Sequence, residues 1–193
     1  MLVLITVTDG SPCPNSTTTP GRVIVGAEFA VLNGGWVGAP DTQFAREIAP
    51  GEYLLDVEPG SELEVFTQDF LSAVVTTGPA EDVYDVSLTL AFALITVNIT
   101  DLEAGGPVLE SFVRVVLGTE ERKSQIGLSE WQLLVAPNEA TSVEVGSNVN
   151  GGNWFQSQVI DVPPLPAGEC TTLGVALENP SRVSPKPGFW QRW

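Results

Sequence analysis

The sequence predicts an all-β protein in which one small sandwich domain is written twice. Three observations carry this. Residues 51–66, GEYLLDVEPGSELEVF, return in variant form at residues 130–145, EWQLLVAPNEATSVEV. Glu52, Tyr53, Leu55, Val57 and Pro59 find their counterparts at Glu130, Trp131, Leu133, Val135 and Pro137, and self-similarity at this scale is the mark of a repeated unit. No segment sustains an apolar period of about 3.6 residues, whereas short runs rich in β-branched residues recur at roughly 8–12-residue spacing between Gly/Pro punctuation. The third is length: 193 residues suit two domains of roughly 90 residues, each large enough for a sandwich core.

The elements follow in order. Residues 2–8, LVLITVT, alternate as a strand, and a Pro/Ser/Thr-rich loop occupies 9–21. A second strand over 22–31 is interrupted by Gly26, and Asn33-Gly34-Gly35 signals a turn. Residues 43–48 alternate weakly and lead through Pro50-Gly51 into 51–66, which read as a hairpin around Pro59-Gly60. There Tyr53, Leu55 and Val57, then Leu63 and Val65, place one apolar face inward. Residues 71–76 and 83–90 complete the first unit. No flexible linker follows, because Leu-Ile-Thr-Val of 4–7 reappears at 94–97 with three apolar residues between the two strands. The expectation is a stiff, end-to-end pair with Phe92 packed at the junction. In the second unit, strands are expected at 94–100 and 111–117, an exposed charged loop at 118–124 (GTEERKS), a hairpin over 130–145 and strands at 154–162 and 170–177. The predicted domains are 1–91 and 92–178, with a separate tail at 179–193.

Composition excludes several classes of function. Hydrophobic residues make up 43% and charged residues 17%, a globular rather than disordered balance. No apolar run approaches the roughly 18 residues of a membrane span. Residues 1–7 are apolar but lack a basic start and a cleavage site, so they are read as a strand and the protein is expected to be leaderless. Twenty-four acidic residues against eight basic ones give a net charge of −16, which repels nucleic acid and anionic membranes. The acidic surface reads as solubilising. There is no histidine, which removes Ser-His-Asp and Cys-His catalysis, and the cysteines, Cys13 and Cys170, lack metal-ligand spacing. A bridge between them would clamp the two repeats together rather than staple either core. No enzymatic activity, metal or cofactor is expected.

The order "ITV, loop with Pro, V-x-V, GEYLLDVEPG" resembles carboxypeptidase regulatory-like domains, the transthyretin-like branch of immunoglobulin-type sandwiches. Gly51 and Tyr53 match the family's Gly-x-Tyr motif, whereas Ser129 and Trp131 stand there in the second copy, and Tyr53 and Trp131 are expected at equivalent buried positions. The resemblance implies two tandem immunoglobulin-like (transthyretin-like) β-sandwich domains and a role in adhesion, spacing or scaffolding. Lys–Asn isopeptide crosslinks of related adhesin repeats are excluded from the first repeat, which has no lysine.

Candidate sites are few. The acidic groups Glu58, Glu62, Glu64 and Glu81, Asp82, Asp85 lack a Ca²⁺-loop spacing and read as solvated strand faces. The sequons at Asn15 and Asn98 read as chance matches. Trp36 and Trp154 flank Gly-rich turns, where an aromatic either covers an edge or stacks on a sugar. The tail is the least ordinary segment: residues 179–193 carry three basic residues and no acid, against five basic and 24 acidic in residues 1–178. Arg182, Lys186, Phe189, Trp190, Arg192 and Trp193 are the residue types enriched at interface hot spots, and they are the expected partner-binding residues. The function these features predict is a non-enzymatic structural protein, an exposed virion component (capsid decoration or fibre protein) of a tailed phage docked partly through its tail. Its expected partner is a capsid or other virion protein, or a further copy of itself, and its expected location is the virion surface. The alternative is a cell-surface or carbohydrate-binding adhesion module using the tryptophan loops.

Overall fold

The computed structural model describes residues 1–11, 21–32, 45–79, 83–147 and 155–179. All its regular elements are strands. The chain divides into two compact units, Met1–Ala93 with Pro166–Cys170, and Leu94–Leu165 with Thr171–Trp193. In the first, β1 (Leu2–Asp9), β3 (Ala45–Ala49), β4 (Glu52–Asp56) and β7 (Val83–Leu88) form a sheet ordered β3-β4-β1-β7. A second sheet, ordered β2-β5-β6, holds β2 (Glu28–Val31), β5 (Glu62–Thr67) and β6 (Phe70–Thr76). The inner faces of the two sheets meet in one core of Val3, Ile5, Val7, Phe29, Tyr53, Leu55, Leu63, Val65, Val86 and Leu88. β1 is central, antiparallel to β4 and parallel to β7. Its alternating buried positions come directly from the LVLITVT pattern.

The second unit repeats this plan. One sheet, ordered β10-β11-β8-β14, holds β8 (Ala93–Asp101), β10 (Glu120–Gln125), β11 (Glu130–Val135) and β14 (Cys170–Leu177). The other, ordered β13-β12-β9, holds β9 (Ser111–Leu117), β12 (Thr141–Ser147) and β13 (Gln158–Val162). The chain is therefore all-β, with two tandem four-plus-three β-sandwiches.

Two expectations are corrected. Residues 51–66 are not a hairpin: β4 and β5 lie in different sheets, so the Pro-Gly turn is an arch that carries the chain across the core. Tyr53 and Leu55 face Leu63 and Val65 through that core instead of lying beside them in one sheet. The same holds for β11 and β12 in the second unit. The segment expected as a charged loop at 118–124 contains β10, an edge strand paired to β11 and exposed at every residue. An edge strand needs no apolar face, and charge on it blocks pairing with other chains, so apolar periodicity cannot reveal it.

The repeat extends to individual hydrogen bonds. Val7 N–H donates to Gly51 O at 2.9 Å, and Ile99 N–H donates to Ser129 O at 2.9 Å. Gly10 N–H reaches Leu88 O at 2.8 Å, as Leu102 N–H reaches Leu177 O at 3.0 Å. The Thr8 and Thr100 hydroxyls each donate to the backbone of the last strand, at Val86 O and Val175 O. At the end of the central strand a left-handed glycine closes each loop: Gly21 N–H donates to Asp9 O and Gly105 N–H to Asp101 O, both at 2.8 Å. The second loop closes within fewer residues, as its length predicted.

Candidate functional site

Tyr53 is the deepest polar group of the first core, fully buried. Its hydroxyl accepts from Ala27 N–H at 2.9 Å and donates to Ile24 O at 3.1 Å. Glu47 Oε1 lies 3.3 Å from the same hydroxyl and accepts from Gly51 N–H at 3.1 Å. Burial raises the Tyr53 pKa above 10.0, opposed by the Ala27 hydrogen bond and reinforced by the Glu47 charge. Gly51 itself has φ 72°, and a Cβ there would meet Val23 Cβ at 2.6 Å. The Gly-x-Tyr motif thus pins the segment between β1 and β2 onto β4, which is a structural task. Trp131, at the matching position, was expected to be equally buried. It is half-buried, and its indole N–H donates to Ser111 Oγ at 3.2 Å.

Other buried polar groups of the two cores are engaged in the same way. Asp9 Oδ1 accepts from Ser11 N–H at 2.9 Å, and Ser11 Oγ accepts from Leu90 N–H at 2.9 Å. Asp101 Oδ1 accepts from Glu103 and Ala104 N–H at 2.9 and 3.1 Å. Thr77 Oγ1 donates to Glu58 O and Ser61 O beside the arch. These carboxylates and hydroxyls cap turns. A depression of about 250 Å³ lined by Asp9, Arg22, Thr67, Asp69 and Phe70 opens on the first unit.

The expected partner-binding residues Arg182, Lys186, Phe189, Trp190, Arg192 and Trp193 lie outside the described residues, as do Trp36, Trp154, Cys13, Asn15, Glu81 and Asp82. Glu58 and Glu62 are exposed, Glu64 is half-buried on β5 and Asp85 is exposed on β7. Among the described residues, no three acidic, cysteine or histidine side chains gather as metal ligands. Asn98 lies within β8, half-buried. Cys170 is disulfide-bonded, a pairing that the sequence left open.

The outward rows of the two smaller sheets were not singled out by sequence. Across β2, β5 and β6 the register places Ala30 beside Glu64 and Glu64 beside Val74. Across β9, β12 and β13 it places Arg114 beside Glu144 and Glu144 beside Val159. Arg114 Nε donates to Glu144 Oε2. Only a strand register could align these rows.

No protein-family model matches the chain, and no curated protein does. Solved structures with which it shares a β-rich outline include a fimbrial protein from Bacteroides ovatus, at 12% identity and a TM-score of 0.47 over 90% of this chain and 48% of that one. A streptococcal ancillary pilin matches at 8% identity and a TM-score of 0.41 over 92% of this chain and 68% of the pilin. The phospholipase PlaB from Legionella pneumophila matches at 6% identity and a TM-score of 0.38, over 68% of this chain. The chain spans about a third of the length of that phospholipase and of the Bacillus anthracis TIE protein. Likenesses this distant carry no functional argument, and the fold rests on the strands described above.

Proposed function

We propose that the chain is a non-enzymatic structural module exposed on a large assembly and docked through residues 182–193. The surface of a tailed-phage virion is the specific setting that suits an acidic body with a basic aromatic tail. One observation carries the reading. The buried polar side chains that could do chemistry, Tyr53, Asp9, Ser11 and Asp101, hold backbone turns, and the scaffold bonds are duplicated from one unit to the next. Duplication of a scaffold serves spacing and display. The disulfide at Cys170 fits an exposed location, since such bonds persist on virion and cell surfaces and are rare in a reducing cytosol. The tail, with three basic residues and three aromatics, supplies what a docking anchor needs: opposite charge for encounter and aromatic area for retention.

The test deletes residues 184–193 and follows two quantities, thermal stability and incorporation into purified particles by mass spectrometry. Two lost aromatic anchors at about 2 kcal/mol each weaken docking roughly a thousandfold, so incorporation should vanish while the melting temperature holds. A collapse in melting temperature, or undiminished incorporation, overturns the proposal.

A further inference from the structure

The two outward rows share a glutamate and a valine and differ in the third residue. The second unit has Arg114–Glu144–Val159, and the first has Ala30–Glu64–Val74. In the second unit Arg114 neutralises Glu144, whose side chain is left 14% exposed. In the first unit the position across from Glu64 holds Ala30, which is buried at 4% exposure, while Glu64 stays half-exposed and forms no ion pair with another described residue. The neighbouring row pairs Glu28 with Phe66. Val74 on β6 and Leu32, the residue after β2, are 59% and 49% exposed. This face of the first unit therefore offers carboxylates and apolar side chains, and the register places no basic residue on it.

We propose that the face of β2, β5 and β6 around Glu64 binds the C-terminal segment, residues 182–193, of a second copy of this chain. The proposal rests on the reading of that segment as an anchor and names its partner. An arginine delivered in trans pairs with the exposed side of Glu64, as Arg114 pairs with Glu144 in the second unit. Arg182, Lys186 and Arg192 oppose Glu28 and Glu64, while Phe189, Trp190 and Trp193 cover Phe66, Val74 and Leu32. Such a contact joins two different surfaces, so it links copies head to tail instead of closing a symmetric dimer.

Analytical ultracentrifugation of the full-length chain tests it. Concentration-dependent self-association is expected, weakened by salt and by an added peptide of residues 182–193. Glu64→Arg should weaken it roughly tenfold or more, because like charges meet. Combining Glu64→Arg with Arg182→Glu and Arg192→Glu should restore it. Thermal melts of each variant exclude unfolding as the cause. A chain that stays monomeric at every concentration, including one whose tail folds onto its own body, contradicts the proposal, as does unchanged association of folded Glu64→Arg. If the 184–193 deletion abolishes particle incorporation while the full-length chain is monomeric, the anchor reading stands and this one fails.

Discussion

Tyr53 shows how one hydroxyl organises a domain. It ties Ala27 N–H and Ile24 O to β4, so Tyr53→Phe removes an acceptor and leaves the Ala27 amide orphaned in the core. The expected loss is about 1–3 kcal/mol, read as a drop in the first transition of a thermal melt. The same group sets an alkaline limit. Its folded pKa is raised by burial, so the folded state holds the phenolic proton more tightly than the unfolded chain does. That contribution to stability is complete below the ordinary tyrosine value of 10.0 and is lost as pH rises toward the folded value. Denaturant midpoints measured from neutral pH upward should fall in this window for the parent and less steeply for Tyr53→Phe. The sequence announced Tyr53 because burial of an aromatic within an alternating strand is a local pattern. It misjudged Trp131, because the depth of a side chain depends on which strands and loops close over it.

At the scale of elements, glycine position separates turns that need glycine for different reasons. Gly51 combines φ 72° with a Cβ site 2.6 Å from Val23 Cβ, whereas Gly60 in the arch has φ 83° and nothing within 4 Å. Gly60→Ala should cost about 1 kcal/mol for the backbone alone. Gly51→Ala adds overpacking of about 1–3 kcal/mol, and urea midpoints of the two variants should rank in that order. Equal costs would mean that the Val23 contact relaxes freely. Strand existence was largely legible, since alternation and Gly/Pro punctuation are encoded within a few residues. Pairing was not. The segment PGSELEVF has the turn of a hairpin, yet the facing apolar sets of β4 and β5 are satisfied equally well across a core. β10 was invisible as a strand because EERKSQ presents polar residues on both faces.

For the whole molecule, the duplication was plain in residues 51–66 and 130–145 and reappears as matching hydrogen bonds in the two units. The Glu64 and Glu144 rows were hidden, because aligning three strands requires the register of two pairings. The disulfide at Cys170 should matter at this scale: Cys170→Ser is expected to cost about 2–4 kcal/mol, and reductant should lower the parent's melting temperature but leave the variant's unchanged. The central claim, an exposed body held by a docked tail, is tested most directly by trypsin footprinting of the native assembly against the released chain. In the released chain, cleavage after Arg182 and Arg192 is expected to be rapid. In the assembly those bonds should be protected while the exposed Lys123–Arg122 edge of β10 remains open to the protease. Cleavage at Arg182 and Arg192 at the same rate in both, with the protein still bound, would contradict the account.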